Sequence, residues 1–459
     1  MKLHPSDTVE VNLETGHKVA LRDIKAGEPV IKYGFPIGHA TIDIAAGEPV
    51  HTHNLKTNLS GTLTYTYRPN FSYPTAPAHI PTFLGYRRED GCVGIRNDIW
   101  IVNTVGCVNK TAQILAQKTG AKYFSHPFGC SQLGGDQSVT QAILAGMVRH
   151  PNAGGVLVLG LGCENNNIDI FKTALGGYNP DRVKFLNTQD AADEIAEGCA
   201  LIAELQRYAS QFRREQLPIS ELKIGLKCGG SDGYSGITGN PLLGQFSDYL
   251  IACGGTAALT EVPEMFGAET LLMERCETKE VFDSTVALIN DFKDYFTRHN
   301  QVVYENPSPG NKAGGITTLE EKSLGCVQKG GAAPVRGVLN YGDRLRRSGL
   351  HLLNGPGNDM VAVTNLTACG VHMILFTTGR GTPLGAPVPT VKVSTNSPLA
   401  QKKPGWIDFD AGRLLTGASM AELTQELTAL CIDIAGGRQT KNEQNGYEEI
   451  SIFKDGVVL

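Results

Sequence analysis

Short apolar runs of strand type alternate with segments of helical periodicity from residue 99 onward. In the first half of this stretch, strands are predicted at 99–102, 155–161 and 183–186, and helices at 109–118, 138–149 and 190 to about 213. Such alternation indicates a parallel sheet covered by helices on both faces. We therefore predict one α/β domain over residues 84–218.

The same pattern starts again after Pro218. Strands are predicted at 222–226, 256–261, 335–340, 371–377 and 390–394, and helices at 242–252 and 268–298. A chain of 459 residues is too long for one ordinary core, so a second set of elements indicates a further domain. Residues 219–459 are predicted to form this larger α/β domain.

The first part of the chain has a different character. Short strands are predicted at 19–21, 29–33 and 37–44, separated by Ala-Gly turns. Four prolines then follow among aromatic residues and forbid a regular helix: Pro69, Pro74, Pro77 and Pro81. We predict a small β-rich module over residues 1–65 and an extended linker over 66–83.

Charge and cysteine content exclude several classes of protein. The net charge is -5 and no long basic run occurs, so nucleic acid is not an expected partner. The amino terminus lacks an apolar signal segment, and no stretch is long enough to span a bilayer, so no membrane partner is expected. Eleven cysteines, an odd number, favour reduced thiols over a disulfide framework. We expect a cytoplasmic protein.

Four predicted strands end in a thiol beside glycine. The cysteines are Cys107, Cys130, Cys163 and Cys228, and Glu164 follows the third of them. If the strands are neighbours, these thiols converge, and thiolate and carboxylate ligands on loops suit iron(II) or zinc. The alternative is that the cysteines are small apolar residues packed behind glycine turns.

Three histidines near the amino terminus are further candidates. His51 and His53 are two residues apart, so on an extended strand both imidazoles would face one ion. His17 lies in a turn before a strand and could be a metal ligand or a general base. The alternatives are a surface histidine pair and a solvated turn histidine.

Two glycine-rich and proline-rich loops carry cations. The first, residues 306–315, contains Asn311 and Lys312, and the second places Arg380 between two glycines and just before Thr382. Such loops can bind a carboxylate through backbone N–H groups, an ammonium group or a bidentate guanidinium. The alternative is a pair of ordinary loops with solvated cations. Neither loop has the spacing of a nucleotide-hydrolysing P-loop, so a nucleotide-dependent enzyme is not favoured.

Several segments of unusual composition occur in one characteristic order. They are Gly-His-Lys at 16–18, Ile-Lys-Tyr-Gly at 31–34, Gly-Ile-Arg-Asn at 94–97, Gly-Leu-Gly-Cys-Glu at 160–164, Cys-Gly-Gly-Ser-Asp at 228–232, the loop 306–312, and Thr-Gly-Arg-Gly-Thr-Pro at 378–383. Together they resemble the altronate/galactarate dehydratase family over essentially the whole chain. Segments 50–54, 261–267 and 406–412 are more similar to the altronate branch.

The resemblance implies a fold and a cofactor. The expected fold is α/β, with a small N-terminal β-rich SAF-type module, a Rossmann-like middle domain and a larger C-terminal α/β domain. Fe2+ or Mn2+ dependence and a homo-oligomer, a dimer, are expected as well. Relatives carry more residues between the opening segment and the turn at 16–18, so the first hairpin of the module is predicted to be missing.

The implied activity is that of a sugar-acid hydro-lyase in hexuronate catabolism. The first candidate reaction converts D-altronate to 2-keto-3-deoxy-D-gluconate and water by metal-assisted loss of the C2 proton and the C3 hydroxide. The alternatives are galactarate dehydration and a non-catalytic sugar-acid-binding protein. The predicted catalytic residues are His17, Lys312 and Arg380. The predicted substrate-binding residues are Arg96, Asn97, Ser231, Asp232, Asn311 and Thr382. The predicted metal ligands are His51, His53, Cys107, Cys130, Cys163 and Glu164.

Overall fold

The amino-terminal domain consists of two small antiparallel sheets in a computed structural model that describes residues 1–459. Its strands are β1 (Val9–Val11), β2 (Lys18–Ala20), β3 (Pro29–Lys32), β4 (Phe35–Ala40), β5 (Pro49–Val50) and β6 (Leu55–Lys56). One sheet has the order β1-β2-β5 and the other β3-β4-β6. β1 and β2 pair directly as a short hairpin, so a hairpin remains despite the short opening segment. Irregular chain follows from 57 to 81.

The middle domain is built on a parallel sheet with the strand order β10-β9-β11-β12. Its elements are β7 (Thr82–Arg87), β8 (Val93–Gly94), β9 (Asp98–Asn103), α1 (Asn109–Thr119), β10 (Lys122–Phe124), α2 (Gly135–Val148), β11 (Ala153–Gly160), α3 (Ile168–Leu175), β12 (Val183–Asn187), α4 (Glu194–Ala209) and β13 (Glu215–Pro218). β11 is buried along its whole length, as its apolar sequence predicts. β7, β8 and β13 form a separate antiparallel sheet.

The carboxyl-terminal domain contains a seven-stranded parallel sheet. Its elements are β14 (Lys223–Cys228), α5 (Gly239–Ala252), β15 (Thr256–Leu259), α6 (Glu269–Met273), α7 (Lys279–Arg298), α8 (Pro309–Ala313), α9 (Leu319–Cys326), β16 (Val335–Leu339), β17 (Gly349–Leu353), α10 (Asp359–Cys369), β18 (Met373–Thr378), β19 (Thr390–Ser394), α11 (Ser397–Lys402), β20 (Phe409–Asp410), α12 (Met420–Ala435) and α13 (Lys441–Asn445). The predicted fold class, α/β with a small β-rich amino-terminal region, is confirmed.

The strand order of this sheet predicts where a ligand-binding crevice lies. The order is β16-β17-β15-β14-β18-β19-β20, so the chain moves one way from β14 and the other way from β18. In parallel sheets, ligands bind outside the carboxyl ends of the strands where the order reverses. Cys228 ends β14 and Thr378 ends β18, so these two residues mark the expected crevice.

The two α/β domains pack side by side through α2 and α10. A β-carbon on Gly146 would come within 2.5 Å of the Ala368 carbonyl oxygen, so the helices approach closely at these residues. His150 Nε2 lies 2.9 Å from the Val371 carbonyl oxygen and joins the amino edges of the two sheets. None of the helices is both long and apolar enough to cross a membrane.

Two predicted helices have different limits in the structure. The helix predicted from residue 190 begins at Glu194, because the Asp193 carboxylate accepts hydrogen bonds from the amides of Ile195 and Ala196 and caps it there. The helix predicted over 268–298 is two helices, α6 and α7. The Thr278 hydroxyl caps the second of them by accepting a hydrogen bond from the Val281 amide.

Candidate active site

A cavity of about 510 Å³ opens at the carboxyl ends of β14 and β18. Its lining residues are Cys228, Gly229, Gly230, Glu264, Glu305, Asn306, Pro307, Ser308, Pro309, Asn311, Lys312, Lys322, Gly357 and Asp359. Only one of these is hydrophobic. A concave site of this size with convergent polar groups has the character of a small-molecule site. It is where the topology of the sheet predicts a ligand.

The loop after β14 forms one wall of the cavity. Gly229 has no side chain, and a β-carbon there would lie 2.7 Å from Asp359 Oδ2. Gly230 has a φ of 62°, in the left-handed region that favours glycine. The two glycines therefore let Asp359, at the start of α10, approach the end of β14.

The loop before α8 forms the opposite wall. Ser308 caps α8, and its amide donates a hydrogen bond to Asn311 Oδ1 at 3.1 Å. Asn311 Nδ2 in turn donates to the Ser231 carbonyl oxygen at 2.9 Å. Lys322 Nζ donates to Asn311 Oδ1 at 3.2 Å and to Asn306 Oδ1 at 3.0 Å. Asn311, predicted to bind substrate, lines the cavity but mainly ties this loop to the β14 loop and to Lys322.

Two cations at this site have no side-chain partner. Lys312 is half-buried in the cavity wall, and its ammonium group makes no hydrogen bond or ion pair. Arg380 is exposed at the rim, where a β-carbon on Gly310 would lie 3.7 Å from its Nε. Its guanidinium group is also unpaired. The structure thus brings together two of the predicted catalytic residues, and both can accept an anionic ligand.

Behind the cavity lies a buried network of lysines and acids. Lys227 Nζ forms ion pairs with Glu261 and with Asp359, the second at 2.6 Å. Lys322 Nζ lies 2.8 Å from Glu264 Oε1, and Lys329 Nζ lies 3.8 Å from Glu261 Oε2. Buried charges persist only when they are paired, as these are.

Two thiols and one carboxylate meet inside this network. Cys228 Sγ and Cys326 Sγ are 3.4 Å apart, and each lies 3.1 Å from Glu264 Oε2. All three residues are buried, and they form the only group of three potential metal ligands whose atoms lie within 4.8 Å of one another. Two sulfurs and one oxygen suit a borderline-soft divalent cation such as iron(II) or zinc.

The protonation of this group also suits cation binding. The hydrogen bond from the Cys326 thiol, helped by Lys329 at 2.9 Å, lowers the pKa of Cys228 to about 6. Burial opposes ionisation of Glu264, but the neighbouring lysines, Lys322 first, hold its pKa well below the usual range. A thiolate and a carboxylate are therefore present at neutral pH, and the donor set fits a divalent cation.

The amino-terminal domain packs against the outside of the same loop. Burial lowers the pKa of His51, and the neutral imidazole places Nε2 2.9 Å from the Lys312 carbonyl oxygen. The His17 ring lies 5.5 Å from the His51 ring, and Lys18 Nζ donates to the Gly315 carbonyl oxygen at 2.7 Å. His17 and His51 therefore support the loop that carries Lys312 but do not line the cavity.

The metal site predicted on His51 and His53 assumed an extended strand, which the structure does not contain at these residues. Residues 51–54 form a turn, in which the amides of Asn54 and Leu55 both donate to the His51 carbonyl oxygen. The two imidazoles consequently do not share the face of a strand. His53 is exposed, whereas His51 faces Lys312.

The predicted thiol cluster is divided between two sheets. Cys107, Cys130 and Cys163 follow β9, β10 and β11 of the middle domain, whereas Cys228 ends β14 of the carboxyl-terminal domain. The prediction that Glu164 is a metal ligand is not supported. Its carboxylate is buried and accepts hydrogen bonds from the Thr104 hydroxyl and from two backbone amides.

Two predicted substrate-binding residues belong to the domain framework instead. All five N–H groups of Arg96 are used internally, on Glu443 and on three backbone carbonyls. Asn97 accepts a hydrogen bond from Arg88 and donates one to the Ala209 carbonyl oxygen. Arg96 therefore has no free N–H group to offer a substrate, and both residues hold the domain framework together.

Ser231, Asp232 and Thr382 are also outside the lining of the cavity. Asp232 is buried, and its carboxylate accepts hydrogen bonds from Thr395 and Asn396 that fix the loop after β19. Ser231 is buried as well, and the Thr382 hydroxyl accepts a hydrogen bond from the Leu384 amide. In this structure Ser231, Asp232 and Thr382 shape the loops around the cavity, and their role as substrate ligands stays a prediction.

Glu264, Lys322, Cys326 and Asp359 are functional candidates that the sequence pattern does not predict. Glu264 lies in segment 261–267, which was noted only for its resemblance to the altronate branch. Cys228 was noted at a strand end, but nothing in the sequence links it to Cys326, 98 residues away. Three-dimensional proximity alone reveals this pair.

A second cavity, of about 560 Å³, lies at the amino edge of the middle sheet. Four arginines line it. The guanidinium groups of Arg88 and Arg182 donate hydrogen bonds to backbone carbonyl oxygens, and Arg88 also donates one to Asn97 Oδ1. Amino edges of parallel sheets seldom carry catalytic residues. The cavity beside Cys228 is therefore the candidate active site.

Comparison with known proteins gives three family matches in chain order. The Altronate/galactarate dehydratase SAF domain matches residues 2–58, and the D-galactarate dehydratase/Altronate hydrolase second domain matches residues 85–210. The D-galactarate/Altronate dehydratase C-terminal domain matches residues 219–458, more than half of the chain.

Several curated relatives match over nearly the full length. An altronate dehydratase of Bacillus subtilis (strain 168) is 54% identical, over 98% of this chain and 93% of the relative. An altronate dehydratase of Escherichia coli (strain K12) is 53% identical, over 98% and 94%. A galactarate dehydratase (L-threo-forming) of Escherichia coli (strain K12) is 32% identical, over 97% and 91%. The chain therefore belongs to the D-galactarate/altronate dehydratase family.

Proposed function

We propose that this protein removes water from D-altronate and releases 2-keto-3-deoxy-D-gluconate. The observation that carries the proposal is the cavity in which the unpaired cations Lys312 and Arg380 flank a cluster of acids, bases and potential metal ligands. The identity to two altronate dehydratases, well above that to the galactarate dehydratase, supports altronate as the substrate.

Lys312 and Arg380 hold the substrate carboxylate. A carboxylate pairs well with a guanidinium group, which can donate two parallel N–H bonds, and with a point charge such as an ammonium group. With the carboxylate at the rim, the sugar chain extends into the cavity toward Lys322 and Asp359. Its hydroxyl groups meet a wall that is almost entirely polar.

Asp359 and Lys322 move the protons. Asp359 lines the cavity, and its carboxylate is held in place by Lys227 at 2.6 Å, so it accepts the proton from C2. Burial lowers the pKa of Lys322, but the attraction of Glu264 outweighs burial and raises this pKa above its ordinary value. Lys322 therefore stays protonated and donates its proton to the leaving C3 hydroxyl. The C2–H and C3–O bonds break, water leaves, and the enol tautomerises to the 2-keto acid. His17, the predicted proton-transfer residue, lies behind the Lys312 loop and receives no such role.

Cys228, Glu264 and Cys326 would hold a divalent cation, for which we propose iron(II). When bound, such a cation supplies Lewis-acid stabilisation of negative charge that develops on the substrate. Lys322 and Lys329 lie within 3 Å of two of these ligands and balance their charge. Manganese is less suited, because it prefers oxygen ligands.

The protein is also proposed to be cytoplasmic. All eleven cysteines are free, which suits the reducing cytoplasm. The dimer implied by the family resemblance remains a prediction, and light scattering of the purified protein would test it.

A substrate screen tests the proposed reaction. Aldonic and aldaric acids are incubated anaerobically with the protein and added iron(II), and 2-keto acid is measured over time. D-altronate should give the highest kcat/KM. A higher value for galactarate would contradict the proposed substrate. Binding of sugar acids without turnover under every metal supplement would instead indicate a binding protein.

A further inference from the structure

Three cysteines of the middle domain stand apart from the others. Of the eleven free cysteines, only Cys107, Cys130 and Cys163 are exposed. Cysteine is among the most buried residue types, so three exposed thiols in one domain are unusual. All three follow the carboxyl ends of neighbouring parallel strands, β10, β9 and β11, which is the edge where parallel sheets bind ligands.

Hydrogen bonds tie the three loops that carry these thiols into one platform. The Gly106 amide donates to the Phe128 carbonyl oxygen at 2.9 Å, and the Asn166 amide donates to the Gly129 carbonyl oxygen at 2.9 Å. Asn165 Oδ1 accepts from the Ser131 amide at 2.9 Å. Each cysteine is therefore within three residues of a bond to a neighbouring loop.

Close packing fixes this platform further. A β-carbon on Gly129 would come within 2.0 Å of the Thr104 carbonyl oxygen, so the loop after β10 lies directly on the loop after β9. Cys130 Sγ lies 3.4 Å from Asn165 Oδ1, and Gln189 Nε2 lies 3.5 Å from Cys163 Sγ. The thiols are thus held at a rigid edge.

The spacing of the sulfurs argues against a single metal ion. With metal–sulfur bonds of about 2.3 Å, two thiolates on one ion lie no more than about 4.6 Å apart. Cys107, Cys130 and Cys163 are not among the groups whose ligand atoms all lie within 4.8 Å, so at least one pair of their sulfurs is farther apart than that. Thiolates at wider spacing suit a cluster in which each binds a different metal atom.

We propose that Cys107, Cys130 and Cys163 bind an iron–sulfur cluster, with each thiolate on a different iron. Thiolates are the ligands that such clusters use. Because the three cysteines are exposed, the part of the cluster without a protein thiolate faces solvent. Gln132, buried in the loop of Cys130, has an amide Nε2 with no hydrogen-bond partner. This site is separate from the Cys228 group and does not depend on the identity of the sugar acid.

Anaerobic reconstitution with ferrous iron and sulfide tests the cluster. Bound iron, acid-labile sulfide and visible absorbance are measured after desalting, and electron paramagnetic resonance is recorded after reduction. The wild-type protein should retain acid-labile sulfide together with at least as much iron, and it should show the broad absorbance of a sulfide-bridged cluster. Each of Cys107→Ser, Cys130→Ser and Cys163→Ser should lose most of the sulfide and the absorbance.

Matched controls separate this site from other thiols. Cys92→Ser and Cys199→Ser change half-buried cysteines of the same domain, and Cys228→Ser changes the other candidate metal site. All three controls should retain the sulfide. Iron bound without labile sulfide, or sulfide retained by the triple serine variant, would overturn the proposal. Circular dichroism of each variant verifies its folding.

Discussion

Lys18 and Glu321 are 303 residues apart in the chain and form a buried ion pair, with Nζ 2.8 Å from Oε2. Lys32 reaches the other oxygen of the same carboxylate at 2.7 Å. These contacts dock the amino-terminal domain onto α9, which follows the segment 306–315 that contains Lys312. The position of Lys312, which is proposed to bind the substrate carboxylate, therefore depends on a domain that is distant from it in sequence.

Replacing Glu321 by glutamine should destabilise the protein strongly. The change leaves two buried ammonium groups, Lys18 and Lys32, without a counter-charge, which typically costs about 3–5 kcal/mol. Urea unfolding should show the loss of stability, and kcat/KM should fall because the Lys312 loop loses its support. Glu28→Gln is the matched control, since Glu28 pairs with Arg22 at an exposed site, where solvent screens the attraction and the pair contributes little to stability. Equal effects of the two variants would refute the docking role.

Stability should depend on the titration of Lys18. Burial, with repulsion from Lys32, outweighs the attraction of Glu321 and lowers the pKa of Lys18 to about 8, from an ordinary value of 10.5. Between these pH values the unfolded chain binds more protons at this position, so the contribution of Lys18 to stability rises with pH. It is complete above 10.5 and is lost as the pH falls through 8.

The difference in free energy of unfolding between wild type and Lys18→Met isolates this effect. It should shift in favour of wild type by on the order of 3 kcal/mol between pH 8 and 10.5. Urea titrations at several pH values measure it. A flat difference, or one that moves the other way, would show that Lys18 titrates normally.

Removal of a candidate metal ligand should lower iron retention. Cys228→Ser, Cys326→Ser and Glu264→Gln each delete one donor from the group of three, and a cation held by two donors dissociates more readily. Iron in excess of acid-labile sulfide, measured per chain after anaerobic dialysis, should fall several-fold, together with activity. Cys431→Ala, a buried cysteine elsewhere, should retain the iron. Unchanged iron content in all three ligand variants would exclude this site.

Loss of either carboxylate-binding cation should act mainly on substrate affinity. A hydrogen bond between charged groups contributes about 1.5–3 kcal/mol, so Lys312→Ala and Arg380→Ala should lower kcat/KM for altronate about 10-fold to 100-fold. Most of the change should appear in KM. Arg207→Ala, an exposed arginine on α4, serves as the control. Normal KM values in both site variants would remove these residues from the substrate site.

Local sequence pattern predicted much of the fold. β11 was predicted within two residues because its eight buried positions form one continuous apolar run. β17 was missed, since it is short and carries a buried histidine, His351, at its centre. The helix break before Thr278 was missed because a single capping hydroxyl ended an otherwise continuous periodic stretch.

The candidate site could be predicted only in part, for a physical reason. Lys312 and Arg380 lie in loops whose glycines and prolines mark them in the sequence. Cys326 and Lys322 lie on a helix, α9, every residue of which is buried, so they look like ordinary core positions in the sequence. Arg96 illustrates the opposite error. It lies in a conspicuous sequence segment and was predicted to bind substrate, but its guanidinium group forms an internal ion pair with Glu443.

The role of Asp359 as the acceptor of the C2 proton is the central claim, and proton NMR of D-altronate in deuterated buffer tests it most directly. The reaction is run anaerobically with added iron(II), and Asp181→Asn, at an exposed position, is the control. Wild type and control should form 2-keto-3-deoxy-D-gluconate with deuterium at C3, and Asp359→Asn should be slower by about 10²-fold to 10⁴-fold at similar KM. Unchanged altronate with the wild-type protein, or an Asp359→Asn variant as fast as wild type, would contradict the account.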